Sequence, residues 1–167
     1  DILIVDDELM VGTDNGIYQL DQQQESWHSL FTNVQVLSLN YQEDKLVAGT
    51  SRGSLISTNL GQDWQWIHEE GAVHYTHVVD SKVVEMYVHG DLFISEDWGQ
   101  NWREATYQPR AQSYVYEVVQ IGGYWLMSNN YGIHRSKDQG KSWQLIYPEE
   151  EIGFFDFLVL DQVVYAC

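Results

Sequence analysis

The residues of this chain best equipped for chemistry are its carboxylates, a few cations and many tyrosines. Asp14, the pair Glu69–Glu70 and the run Glu149–Glu151 fall in separate polar segments. Two carboxyl groups about 5–10 Å apart on one rim can act on a glycosidic bond as acid and base, or as acid and nucleophile. Glu70 and Glu150 are weak candidates for such a pair, because the chain holds 25 Asp and Glu and a chance pair on a solvated surface is the commoner outcome. Arg52, His89, Tyr107, Arg110 and Tyr131 lie in similar segments and offer charge, hydrogen bonds and stacking surface to a ligand. Tyr75 and Tyr114 are further contact candidates, weighed against a role in packing. His74 and His77 would point to opposite faces of a strand, which disfavours a shared metal. Cys167 is the single cysteine, so neither an intrachain disulfide nor a Cys-based zinc site can form. No metal and no cofactor is expected.

What must position these residues is an internal repeat. Trp27, Trp64, Trp102 and Trp143 are spaced 37, 38 and 41 apart, and Gly16, Gly53, Gly90 and Gly132 are spaced 37, 37 and 42. Two independent markers share one period. Superposing the units predicts four short strands in each. Strand A is apolar, over 2–5, 34–41, 73–79, 114–121 and 154–160. Strand B covers 9–12, 46–49, 83–87 and 124–127. The glycine turn leads to strand C over 17–20, 54–57, 92–95 and 133–136, and strand D starts at the repeating Trp. Short β-rich runs separated by turn residues, with no helical period, indicate an all-β fold. About 40 residues carrying four strands is the pattern of a β-propeller blade.

The turn between strands C and D has its own signature. It is Ser57-Thr-Asn59-Leu-Gly61-Gln-Asp-Trp64, Ser95-Glu-Asp97-Trp-Gly99-Gln-Asn-Trp102 and Ser136-Lys-Asp138-Gln-Gly140-Lys-Ser-Trp143 in the second to fourth units. The first unit keeps only Trp27, with Leu20, Gln22 and Gln24 where Ser, Asp and Gly belong. The Asp or Asn can accept hydrogen bonds from turn N–H groups, Gly can supply a positive φ, and Trp can bury its ring with its N–H free to find a carbonyl. These residues are therefore assigned to structure, not to catalysis. The pattern resembles the Asp-box, or BNR, repeat of the sialidase, sortilin and xyloglucanase propeller superfamily, with no specific member indicated.

That resemblance implies ligand binding on the face formed by B–C turns and D-to-A crossovers, and both prolines fall in crossovers. It does not fix an activity. A sialidase needs three converging arginines; of Arg52, Arg103, Arg110 and Arg135, only Arg52 and Arg110 fit that face. Xyloglucanase-like aspartates sit between two propellers, photosystem assembly factors present an arginine-rich patch, and sortilin-type receptors add a cysteine-rich module. The reading favoured is a non-enzymatic binding or scaffold propeller taking a protein or a carbohydrate, with a glycoside hydrolase-like propeller as the alternative.

Composition narrows the partners. A formal charge of −17, from 8 basic against 25 acidic residues, opposes nucleic acid and anionic membranes. No apolar run is long enough for membrane insertion as a helix. The 167 residues divide into units at about 1–33, 34–72, 73–112 and 113–152, with a partial unit at 153–167, all in one propeller segment. Four blades and two strands of a fifth would leave exposed edges, so further sequence or a second chain is expected to complete the ring. The absent initiator Met and the resemblance together favour a secreted or periplasmic protein.

Overall fold

A computed structural model of the chain describes residues 1–106, 114–148, 156–161 and 163–167. It is all-β there, with four four-stranded antiparallel sheets and one two-stranded sheet. The first blade is β1 (Ile2–Val5), β2 (Glu8–Thr13), β3 (Gly16–Asp21) and β4 (Ser26–Thr32). The second is β5 (Val36–Gln42), β6 (Lys45–Thr50), β7 (Gly53–Ser57) and β8 (Gln65–His68). The third is β9 (Val73–Val79), β10 (Lys82–Tyr87), β11 (Leu92–Ser95) and β12 (Arg103–Glu104). The fourth is β13 (Val115–Ile121), β14 (Tyr124–Asn129), β15 (Gly132–Ser136) and β16 (Gln144–Pro148); β17 (Phe157–Leu160) and β18 (Val163–Ala166) begin a fifth. Each blade is a meander, so A–B hairpins and C–D turns share one end while B–C turns and crossovers share the other.

Local chemistry sets these boundaries. The A–B hairpins turn on Asp6–Asp7, Glu43–Asp44, Asp80–Ser81 and Gly122–Gly123, all at positive φ. Two such central residues match the right-handed twist of the strands they join. At the B–C end, Thr13 and Thr50 donate from Oγ1 to Gly16 O and Gly53 O at 2.9 and 2.8 Å.

The blades adhere through apolar faces. Met10, Ile17, Leu39, Leu46 and Leu55 are buried between the first and second, and Met86, Leu92, Val118, Trp125 and Met127 between the third and fourth. Between the second and third, the buried apolar set shrinks to Val47, Ile56 and Val78. The two flanks stay open. Ile2 and Ile4 are each 70% exposed, and Leu158 and Leu160 are 56% and 53% exposed.

The C–D turns do what their residues imply. Asp97 Oδ1 and Asp138 Oδ1 each accept from a backbone N–H, of Asn101 and Ser142, at 2.8 Å. Asn59 Oδ1 does the same for Asp63 N at 2.9 Å. Ser57, Ser95 and Ser136 accept from Gly61, Gly99 and Gly140 N–H at 2.7–2.8 Å. In the first unit Asp21 Oδ1 closes the turn instead, accepting from Gln23 and Gln24 N.

Three expectations need correction. Strand D starts one residue after Trp64, Trp102 and Trp143, because the turn still holds the Trp backbone. The indole N–H groups of these three are buried and have no hydrogen-bond partner among the described residues, so the rings pack without the carbonyl contact expected of them. The turn glycines do more than adopt positive φ. A Cβ at Gly99 would lie 2.5 Å from Ile67 Cβ, and one at Gly140 would lie 2.4 Å from Ile94 Cδ1. The preceding blade passes too close for any side chain.

Candidate functional site

Along the strands nearest the axis, β1, β5, β9, β13 and β17, four side-chain oxygens form a series in which each blade accepts an N–H from the next. Asp1 Oδ2 accepts from Leu39 N, Ser38 Oγ from Thr76 N and Tyr75 Oη from Val118 N, each at 2.9 Å. The Glu117 carboxylate accepts from Phe157 N in the same way. The four acceptors are spaced 37, 37 and 42 residues apart, the same intervals as the turn glycines. Their backbone donors sit at matching register positions, opposite Ala48, Glu85, Met127 and Ala166.

Beside this series lies a cavity of about 490 Å³ lined by Ser38, Asn40, His74, His77, Tyr116 and Glu117, among others. On β5, β9 and β13 these residues stop short of the A–B hairpins, so the cavity lies nearer the crossover end. His74 and His77 both reach it despite pointing to opposite faces, because an innermost strand presents its edge to the axis. Burial lowers the pKa of His74 and pushes that of His77 down to about 4, so both rings are neutral at pH 7. No Lys or Arg side chain is among the described lining residues.

Glu117 is also changed by its setting. Burial pushes its pKa up to about 7, opposed by the Phe157 N–H and assisted by the neighbouring Asp156. Two carboxyl groups within hydrogen-bond reach share a proton. They do not leave the 5 Å or more that a glycosidic bond requires between acid and partner.

The residues singled out in the sequence scatter over the same end. Arg52 is exposed in a B–C turn with its guanidinium 5.5 Å from the Trp66 ring centre. His89 is exposed in the next B–C turn and Glu70 is exposed in a crossover. Tyr131 is half-buried, its N–H held by Asn129 Oδ1 at 2.9 Å. Tyr107, Arg110 and Glu150 lie outside the described residues. Tyr114 is 37% exposed and meets His74 edge to face, while Tyr75 is buried between the third and fourth blades and also lines the cavity. Glu117, Asp156 and the oxygen series were missed because their residue types differ from blade to blade. Stepping along the chain by the glycine period would have found the series.

No protein-family model matches the chain, and no curated protein matches it in sequence. Solved structures do match in shape. The extracellular domain of BT4673 from B. thetaiotaomicron superposes with a TM-score of 0.76 at 11% identity, over 99% of this chain and 24% of that one. The GH74 enzyme of Niastella koreensis gives 0.75 at 16% identity, over 99% of this chain and 32% of the enzyme. YCF48 bound to D1 peptide gives 0.60 at 14% identity, over 86% of this chain and 51% of YCF48. The fold is a β-propeller. This chain spans between a quarter and about half of the length of these neighbours.

Proposed function

We propose that this chain is a non-enzymatic binding or scaffold unit of an Asp-box propeller, recognising a protein or a glycan at the B–C turn and crossover end. The observation that carries the reading is the cavity among the inner strands, whose wall combines neutral imidazoles, an amide, hydroxyls and one carboxyl pair. Such a wall suits sugar hydroxyls or a basic side chain of a polypeptide. Arg52, His89 and Tyr131, in B–C turns at the crossover end, are its contact residues, together with Tyr107 and Arg110, which lie outside the described residues. A fold shared with YCF48, which binds a D1 peptide, supports a polypeptide ligand. The ring is completed by further sequence or a second chain covering Ile2, Ile4, Leu158 and Leu160, and the protein is secreted or periplasmic.

The alternative is a glycoside hydrolase-like propeller. It is favoured by the shape shared with a GH74 enzyme and by a carboxyl poised near neutrality at Glu117. One experiment separates the two. Glycan and peptide arrays are probed with the native chain and with Arg52→Ala and His89→Ala, beside a hydrolysis screen using Glu117→Gln, Glu70→Gln and Glu150→Gln. Binding that falls at least tenfold in the first two variants, with no turnover, supports the binding reading. Turnover abolished by a Glu→Gln change overturns it.

A further inference from the structure

We propose that the seam between the second and third blades is a proton-operated latch, in which His68 and Glu85 hold a proton whose gain or loss resets the contact with Tyr87 and Trp102. The repeat itself shows how unusual this seam is. Facing the third blade, the second presents the cross-strand row Ser38, Gly49, Ser54 and His68. The third answers with Thr76, Glu85 and Phe93. The position of Ser54 is Ile17, Leu92 and Ile133 in the other blades, and that of Glu85 is Val11, Ala48 and Met127. The position of His68 is Phe31 and Tyr147 in the blades flanking this pair. Every substitution that makes the seam polar falls in one place, and the apolar set there is correspondingly small.

The geometry of the polar set is specific. Glu85 is fully buried, with His68 Nδ1 3.6 Å from its Oε2, and neither carboxylate oxygen has a hydrogen-bond partner among the described residues. Ser54 Oγ and Thr76 Oγ1, its neighbours in the rows, are likewise buried and unpartnered. A bulge in β8 between Trp66 and His68 turns His68 to the same side as Ser54. The His68 ring then stacks on Trp102 at 5.9 Å and 27°, and Tyr87 Oη bonds it at Nδ1, 3.2 Å from Nε2. Tyr87 is free to do so because it stands where Thr13, Thr50 and Asn129 brace the B–C turns of the other blades.

A buried carboxylate of this kind is tolerated when paired with a cation and costly when alone. His68 supplies that cation at the edge of the seam, where its side chain is 27% exposed and protons can enter. The other titratable groups bearing on the pair are Tyr87 on β10 and Glu70 in the crossover. Glu104 follows Phe93 in the third-blade row and is exposed, while β7, β9 and β11 present only Ser54, Thr76 and Phe93. Every charged neighbour is thus acidic, and Glu85 raises the pKa of His68 while burial raises that of Glu85. Both shifts have one sign. Cohesion of the seam is complete at low pH and lost as pH rises through the folded-state pKa of His68, which deprives the buried Glu85 of its cationic partner. Thr76, whose N–H bonds Ser38, carries the change to the cavity wall.

The test follows the His68 ring by NMR between pH 5 and 9, together with hydrogen exchange of the Thr76 amide. His68 is expected to titrate above the free-imidazole value, with Thr76 exchange accelerating at least tenfold, beyond its intrinsic pH dependence, over the same interval. Glu85→Gln should return His68 to an ordinary titration and abolish the coupled change. The combined variant Ser54→Ile, His68→Phe and Glu85→Met rebuilds the apolar row of the other seams, and should fold with a pH-independent Thr76 protection factor. An ordinary titration of His68 in the native chain, or a Thr76 protection factor that ignores it, overturns the proposal.

Discussion

Tyr75 Oη accepts the Val118 N–H at 2.9 Å in the place where, one blade earlier, Ser38 Oγ accepts the Thr76 N–H at the same distance. A phenol reaches as far as a hydroxymethyl group because its ring lies in the apolar seam while its oxygen emerges at the inner strand. Tyr75→Phe keeps the ring and leaves the Val118 N–H without an acceptor. We expect a loss of about 1–3 kcal/mol, the cost of an unsatisfied buried donor, measured by urea denaturation. A change below a few tenths would show that this oxygen does not hold the blades.

Two glycines at positive φ separate conformational strain from steric exclusion. Gly122 has φ of 53° with no atom within 4 Å of an added Cβ, whereas Gly140 has φ of 78° with Ile94 Cδ1 at 2.4 Å and Trp125 Cζ3 at 2.9 Å. Gly122→Ala should cost about 1 kcal/mol from the left-handed conformation alone. Gly140→Ala should cost about 1–3 kcal/mol more, through overpacking of the seam. Equal losses in the two variants would contradict the close approach of the blades.

The turn carboxylates are replaceable by an amide and not by a methyl. Asn59 already accepts from Asp63 N as Asp97 accepts from Asn101 N. Asp97→Asn should leave the melting temperature nearly unchanged, and Asp97→Ala should lower it. Differential scanning calorimetry of both variants decides the point.

Glu117 gives stability a pH dependence of known sign. Its ordinary carboxyl value of 4.5 rises to about 7 in the folded chain, so the folded state binds more protons across that window. Stability therefore falls as pH rises from 4.5 to 7 and is level above it. The group is half-exposed, so its share is on the order of 1 kcal/mol after solvent screening. Glu117→Gln keeps an oxygen for Phe157 N and should flatten that part of the curve. An unchanged slope between pH 4.5 and 7 would count against the shift.

Open flanks imply association or further blades. Sedimentation of the 19.4 kDa chain should report a larger species or a loosely cooperative unfolding. A monomer that unfolds sharply would contradict the expected completion of the ring.

The blade pattern was legible because it rests on residue types that cannot be exchanged. Gly16, Gly53 and Gly132 hold φ between 130° and 142°, and the Ser-x-Asp-x-Gly turns need their own donors and acceptors. The site was legible only as a rim. Arg52, His89 and Glu70 could be assigned to turns and crossovers because turn residues announce themselves. Glu117 could not, because its role depends on where an oxygen stands relative to the next blade, and Asp, Ser, Tyr and Glu all place one there. Glu85 was hidden inside an apolar strand, Val83 to Tyr87, where alternation suggested nothing but packing. Comparing it with Val11, Ala48 and Met127 required the register that only pairing supplies.

The oxygen series also bears on how such a chain can change over generations. The donating partner is always a main-chain N–H, which every residue but proline carries. A unit copied or exchanged as a block therefore meets a neighbour that already has the complementary half of the joint. Only the accepting blade must keep some oxygen at one position, and four different side chains satisfy that here. Such a joint lets amino-acid identity drift while the ring stays assembled, and it suits a protein whose shape is shared far more widely than its letters.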